Sequence, residues 1–194
     1  LQALLAVAAP TRLVLVGDLF TKGPDPVGVW QIIQDRDSDA VLGNHDHALN
    51  RNPARSKALG LPRAAQAWMA ALPLWLDIPE HGVVVVHGGL HPTEGKAATG
   101  RRLATTLRRW PDDQDRTHPF WWQCYTGAAL VVYGHDAVRG LQDHRPRTLG
   151  LDTGCVYGGR LTGWVVETGE IVSVPAARAY VSPGPPPEPK PGRR

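Results

Sequence analysis

The sequence predicts an α/β protein in which strands alternate with helices early and follow one another late. Three observations predict it. Short β-branched runs such as Arg12–Gly17 (RLVLVG) and Val83–His87 (VVVVH) recur along the chain, separated in the first half by stretches of helical spacing. In the second half the runs Arg147–Leu151, Leu161–Glu167 and Ile171–Val174 succeed one another across glycine-rich turns. Four runs also end on residues able to bear chemistry: Gly17-Asp18, Gly43-Asn44-His45-Asp46, His87-Gly88-Gly89 and Gly134-His135. Such a chain folds as a mixed sheet, or two packed sheets, covered by helices. Ligands in α/β folds gather at the carboxyl ends of strands.

Each element follows from local pattern. Leu1 to Ala9 is apolar and rich in helix formers, and reads as the end of a helix. Arg12 to Gly17 is a buried strand, followed by a Gly/Pro loop from Asp18 to Pro26. Val27 to Gln34 is a helix with Val27, Trp30 and Ile33 on one face. Val41-Leu42 is a second strand. Pro62 opens a helix carrying Ala64, Ala67, Trp68, Ala71 and Leu72 at helical spacing. Leu74–Ile78 and Val83–His87 flank Glu80-His81-Gly82 as a hairpin. Ala97 to Trp110 is a basic helix with Arg101, Arg102, Arg108 and Arg109, and Ala129–Tyr133 is a strand ending at Gly134-His135. From Ser182 prolines crowd the sequence, so residues 1–181 form one domain and 182–194 a disordered tail.

The 194 residues suffice for a sizeable core. A formal charge of +3 suits an anionic substrate but is too small to argue for nucleic acid. Cys124 and Cys155 form no CxxC pattern, which excludes a zinc ribbon and reads as two reduced thiols of a cytoplasmic protein. No apolar run nears the roughly 20 residues of a membrane span. The chain opens with Leu1 and its only methionine is Met69, so the sequence is expected to continue upstream.

The four strand ends together read as parts of a dinuclear metal site. A carboxylate can bridge two ions, and Asp18 is the candidate. Asn44 offers a neutral oxygen, and His87 and His135 offer imidazole nitrogens. This mixed set suits Mn, Fe, Zn, Co or Ni better than calcium. Two ions roughly 3.5–4 Å apart activate water and clamp phosphate oxygens. His45 is placed to act as general acid. Asp46 steadies the loop or orients an imidazole, and Lys22 binds a phosphate oxygen. Taken singly, each residue has a plainer reading: Asp18 as a turn former, Asn44 as a helix cap, the histidines as part-buried polar groups, Lys22 as a solvated lysine. Arg101-Arg102 and Arg108-Arg109 read as a solvated helix face before phosphate contacts. The ordered set favours the site.

The series GDLFTKGPDP (17–26), GNHD (43–46), VVVHGGL (84–90), VVYGHD (131–136) and LDTGCVYGGRL (151–161) resembles the calcineurin-like metallophosphoesterases. The nearest branch in this reading is the bacterial symmetrical diadenosine tetraphosphatases and their phosphoprotein-phosphatase relatives. The resemblance implies a four-layer α/β/β/α sandwich of two mixed sheets flanked by helices, lacking its first strand here. It implies two transition-metal ions, manganese first among them, bridged by Asp18, with Asn44, His87 and His135 completing the second. It implies His45 as proton donor and Tyr157 as a substrate contact. The implied partner is a phosphorylated small molecule or nucleotide, with a phosphoprotein as the alternative, and neither membrane nor nucleic acid.

Three departures mark the sequence. The family's opening Asp-x-His, which completes the first metal, does not occur, and truncation just after it is the simplest expectation. A catalytically impaired metal- or phosphate-binding module is therefore the alternative of another class. In GDLFTKG, Thr21 stands where protein phosphatases carry an aspartate and Lys22 where they carry an arginine, and GNHD replaces GNHE. A lysine keeps the charge but loses the bidentate fork. These changes favour a nucleotide over a phosphoprotein.

Overall fold

The computed structural model describes residues 1–182 and has an α/β/β/α arrangement. Its inner face is one mixed five-stranded sheet, in the order β3 (Trp75–Ile78), β4 (Val83–Val86), β5 (Leu130–Tyr133), β7 (Thr148–Gly150), β6 (Gln142–His144). Strands β4, β5 and β7 run parallel, whereas the edge strands β3 and β6 are antiparallel to their neighbours. The β3–β4 hairpin is the one expected, with Trp75 opposite Val86 and Ile78 opposite Val83.

Two short pairs face this sheet: parallel β1 (Val14–Leu15) with β2 (Asp39–Ala40), and antiparallel β8 (Arg160–Val165) with β9 (Glu170–Pro175). The side-chain alternation of β4 shows the layering. Val83 and Val85 pack with Val41, Val132 and Leu149 between the strand layers. Val84 and Val86 point the other way, into a cluster with Ala104, Trp121 and Trp122. That cluster lies under α6 (Arg101–Thr106) and α7 (Trp121–Cys124). Buried on both faces, β4 is an unbroken run of valines, as a central parallel strand requires.

A third cluster joins α2 (Pro26–Asp35), α3 (Asn44–Asn50) and α5 (Arg63–Ala70) through Phe20, Trp30, Ile33, Leu49 and Met69. The short α4 (Pro53–Ala58) follows α3, and α1 (Gln2–Ala8) packs on β8 and β9. The Asp25 side chain caps α2 at the Gly28 amide, with Pro26 in the first turn.

Three expectations shift. The second strand pairs at Asp39–Ala40 rather than Val41–Leu42, although Val41 still donates to the Leu15 carbonyl at 3.1 Å. The basic helix expected over 97–110 is α-helical only at Arg101–Thr106, after a 3-10 turn at Lys96–Ala98. Pro111 disfavours helix at Trp110, and the Asp113 carboxylate takes the amides of Arg108 and Arg109, so this segment pairs with Phe120 instead. The helix at Asn44–Asn50 is continuous with the GNHD turn; Gly43 stands at its N-cap, and Asn44 is its first residue. Both cysteines are free. The expected tail lies outside the described residues apart from Ser182. Among the described residues no helix is long and apolar enough to cross a membrane.

Candidate metal centre

The carboxyl ends of parallel strands bring the candidate residues together. Asp18 follows β1, Asn44 opens the helix after β2, His87 follows β4 and His135 follows β5. Donor atoms of Asp18, His87 and His135 all lie within 4.8 Å of one another. The Asn44 amide oxygen sits among them, 3.1 Å from His87 Nε2 and 3.0 Å from His135 Nδ1. The two imidazoles meet edge to face, with ring centroids 5.2 Å apart.

The residues fit a metal ion. His87 Nδ1 is 2.6 Å from the Val16 carbonyl oxygen, an acceptor, so Nδ1 carries a proton and Nε2 is the nitrogen turned to the cluster. One carboxylate, one amide oxygen and two imidazoles form a donor set suited to divalent transition metals.

The backbone around the centre is strained. Asp18, Lys22 and His135 have φ of 59°, 67° and 71°, three of the five non-glycine residues in the left-handed region among the described residues. Each such residue costs roughly 1–3 kcal/mol and persists only where its surroundings over-determine it. At Asp18 two glycines and one buried acid do so. Gly17 has φ 85°, and a Cβ there would lie 2.8 Å from the Gly43 amide nitrogen and from His87 Nδ1. A Cβ on Gly43 would strike the Asp18 carboxylate and amide. The two loops therefore touch backbone to backbone.

Asp46 locks that contact. It is fully buried and accepts hydrogen bonds from the amides of Asp18 (2.7 Å), Leu19 (2.9 Å) and Gly43 (3.1 Å). Burial and the nearby Asp18 charge push its carboxyl up to about 6, while the amide donors pull it down. Of the roles expected for Asp46, loop support is the one these three backbone-amide contacts serve.

Electrostatics separate the remaining groups. Burial raises Asp18, but hydrogen bonding and charge from His87 outweigh it and hold the carboxyl down at about 2. Burial lowers His87, yet Asp18 and the Val16 carbonyl leave it above its usual value. Burial, with the positive charges of Arg108 and His87, takes His135 down to about 3. His45 Nε2 lies 3.9 Å from Asp18 Oδ2, and its amide donates to Asp18 Oδ1 at 2.9 Å. Burial lowers the His45 pKa more than Asp18 raises it, and Lys22 and Arg55 add to the lowering.

Lys22 and Tyr157, which lie far apart in sequence, meet through a 2.8 Å hydrogen bond from Nζ to the phenol oxygen. Both line a cleft of about 1110 Å³ that also opens onto Asp18, Asn44, His45, His87 and His135. All the expected residues except Asp46 thus share one cleft. Asp152 and Asp136, which the motifs carried without a role, and Arg108, read as a solvated residue before a phosphate contact, line it too. Asp152 and Asp136 sit within the LDTGC and YGHD runs, so a signal existed. Arg108 had only the helical pattern, which pointed to a solvated face.

Comparison with known proteins agrees with this geometry. A bis(5'-nucleosyl)-tetraphosphatase PrpE [asymmetrical] of Geobacillus sp. (strain WCH70) is 28% identical over 208 residues, covering 88% of this chain and 81% of the relative. The protein of the same name from Bacillus subtilis (strain 168) is 28% identical over 201 residues, covering 87% and 81%. These names specify asymmetrical cleavage, whereas the motifs had suggested the symmetrical branch. A crystal structure provisionally described as a diadenosine tetraphosphatase superposes with a TM-score of 0.79 at 34% identity, covering 90% of this chain and 86% of that one. The sequence pattern of the calcineurin-like phosphoesterases matches residues 1–158. With a match of that extent over this fold and this cluster of ligands, the chain belongs to the calcineurin-like phosphoesterase family, and it is a hydrolase.

Proposed function

We propose that the chain hydrolyses dinucleoside tetraphosphates at a dinuclear centre, with Asp18 shared between the ions and Asn44, His87 and His135 holding one of them. The observation that carries this reading is the convergence of these four side chains from four strand ends within one cleft. The names of the relatives support the substrate. When bound, divalent ions supply a water-derived nucleophile at neutral pH and neutralise charge on the phosphoryl oxygens, and manganese suits the donor set.

The protein's own groups do the rest. The bond of His87 Nδ1 to Val16 leaves Nε2 as its metal-facing nitrogen, which gives up its proton when an ion binds, and burial keeps His135 neutral. Lys22 contributes a positive charge to a phosphate oxygen, and its bond to the Tyr157 hydroxyl fixes where that charge stands. His45 donates a proton to the leaving phosphate oxygen. Its lowered pKa makes it a stronger acid than free imidazole.

The test is turnover of diadenosine tetraphosphate with Mn, with products separated by chromatography. Attack on an outer phosphorus gives ATP and AMP, the expected pair. Two ADP would assign the symmetrical reaction, and faster hydrolysis of a phosphoserine peptide would replace the nucleotide substrate altogether. In the same assay His45→Asn is expected to lower kcat by roughly 10²–10⁴-fold. Its metal content, read by atomic spectroscopy, is expected to stay as in the wild type; wild-type kcat would remove His45 from the role of proton donor.

A further inference from the structure

Beside the centre, one buried carboxylate holds two arginines. Asp136 directly follows His135 and is 8% exposed. Arg108 Nε stands 3.6 Å from its Oδ1, and Arg139 Nε stands 3.6 Å from its Oδ2. The arginines come from separate segments, Arg108 from the extended stretch after α6 and Arg139 from the 3-10 turn Ala137–Arg139.

Compensating one buried carboxylate needs one cation. The second is surplus, and neither guanidinium is consumed by the acid. Asp136 Oδ2 has no hydrogen-bond partner among the described residues, so Arg139 is held by charge and by the Phe120 ring, 4.4 Å from its guanidinium. Arg109 rests on the same ring at 4.2 Å. The side chains of Arg108 and Arg139 are 44% and 43% exposed, so their forks remain open to solvent. Asp113 is a further acid on this rim, and it is taken up by the backbone amides of Arg108 and Arg109.

Position gives the cluster a direction. Arg108 lines the cleft with Asp18, His45 and His135, and Arg139 ends the turn whose Ala137 and Val138 line it. Arg108 therefore stands in the cleft beside His135, and Arg139 stands next to it across Asp136, over the Phe120 ring. Hydrolysis of a monoester needs one phosphate held at the centre. A polyphosphate chain carries further charged phosphates, and planar guanidinium forks match their oxygens.

We propose that Arg139 and Arg108, seated on Asp136, bind the phosphates of a polyphosphate chain beyond the one at the metal centre. Arg139 is then a specificity-determining residue for polyphosphate over monoester. The proposal rests on the polyphosphate reading of the site, but its test does not require turnover.

Calorimetric titration of the metal-free protein with inorganic tripolyphosphate reads the arginines directly and avoids chelation. The wild type is expected to bind. Arg139→Ala and Arg108→Ala are each expected to weaken binding roughly 10–100-fold, the loss of a charge-assisted contact. Arg139→Lys should recover part of that loss. Arg145→Ala removes an exposed cation paired with Asp143 on another edge, and should bind as the wild type does. Circular dichroism melts show that each variant is folded. Absence of binding by the wild type, unchanged binding by Arg139→Ala, or an equal loss in Arg145→Ala would each overturn the proposal. Failure of the wild type to hydrolyse diadenosine tetraphosphate would instead count against the substrate reading.

Discussion

At the scale of the residue, the site works by assigning protons. His87 and His135 are both buried imidazoles beside Asn44, yet their environments push them apart. His135 faces positive charge and falls to about 3, whereas His87 faces Asp18 and rises above 6.5. A metal ion must therefore displace a proton from His87 but not from His135. The sign follows: because the pKa of His87 in the folded protein is raised, its proton and the stability it brings are present below pH 6.5 and lost as pH rises through the raised value. Metal affinity moves the opposite way. Titration of the apoprotein with Mn at several pH values is expected to show tighter binding with rising pH through and above 6.5, with about one proton released per ion. Uptake that ignored pH in that window would mean that His87 is not a ligand. The residues themselves were legible, since Asp18, Asn44, His45, His87 and His135 stand in short motifs. Their charge states were not, because burial and neighbours set those.

At the scale of the element, the centre depends on two turns that touch. Gly17 ends β1 and Gly43 caps α3, and the absence of side chains lets the Asp18 backbone reach the GNHD turn. Asp46 then ties Asp18, Leu19 and Gly43 through three amides. Gly43→Ala is expected to force these turns apart. Metal content should fall severalfold or more, and stability should drop by roughly 1–3 kcal/mol, the scale of overpacking. Atomic spectroscopy and urea denaturation measure the two, and a variant with full metal content would show that the turns need no direct contact. The glycines were readable as turn residues. The need for two of them, from turns 26 residues apart, was not, because it arises where the strands meet. The same limit explains the shortened α6. Helical spacing over 97–110 was real, but Asp113 and Phe120 offered residues 108–110 other partners.

At the scale of the whole molecule, the site is the meeting place of two strand layers. Val41, Val85, Val132 and Leu149 fill the space between them, and their burial holds β2 against β4, β5 and β7. Leu149 is fully buried there. Leu149→Ala is expected to cost roughly 2–5 kcal/mol, measured by denaturant unfolding, from lost burial and the cavity left behind. A cost under about 1 kcal/mol would mean the layers close over the gap. The unbroken valine runs made a strand buried on both faces predictable. The edge strand β6 was not foreseen, since Gln142-Asp143-His144 is polar and earns its place only by pairing with β7.

The sequence by itself determined the fold class, the family and four metal-ligand candidates, because short-range pattern and strand-end chemistry are properties of contiguous residues. Tertiary structure decided the rest. It tied the Asp46 carboxylate to the amides of Asp18, Leu19 and Gly43, paired Lys22 with Tyr157, and gathered Arg108 and Arg139 on Asp136. The physical reason is common to all three. A hydrogen bond or a charge acts over a few ångströms of space, and which distant residues come within that reach is set by the packing of strands and helices.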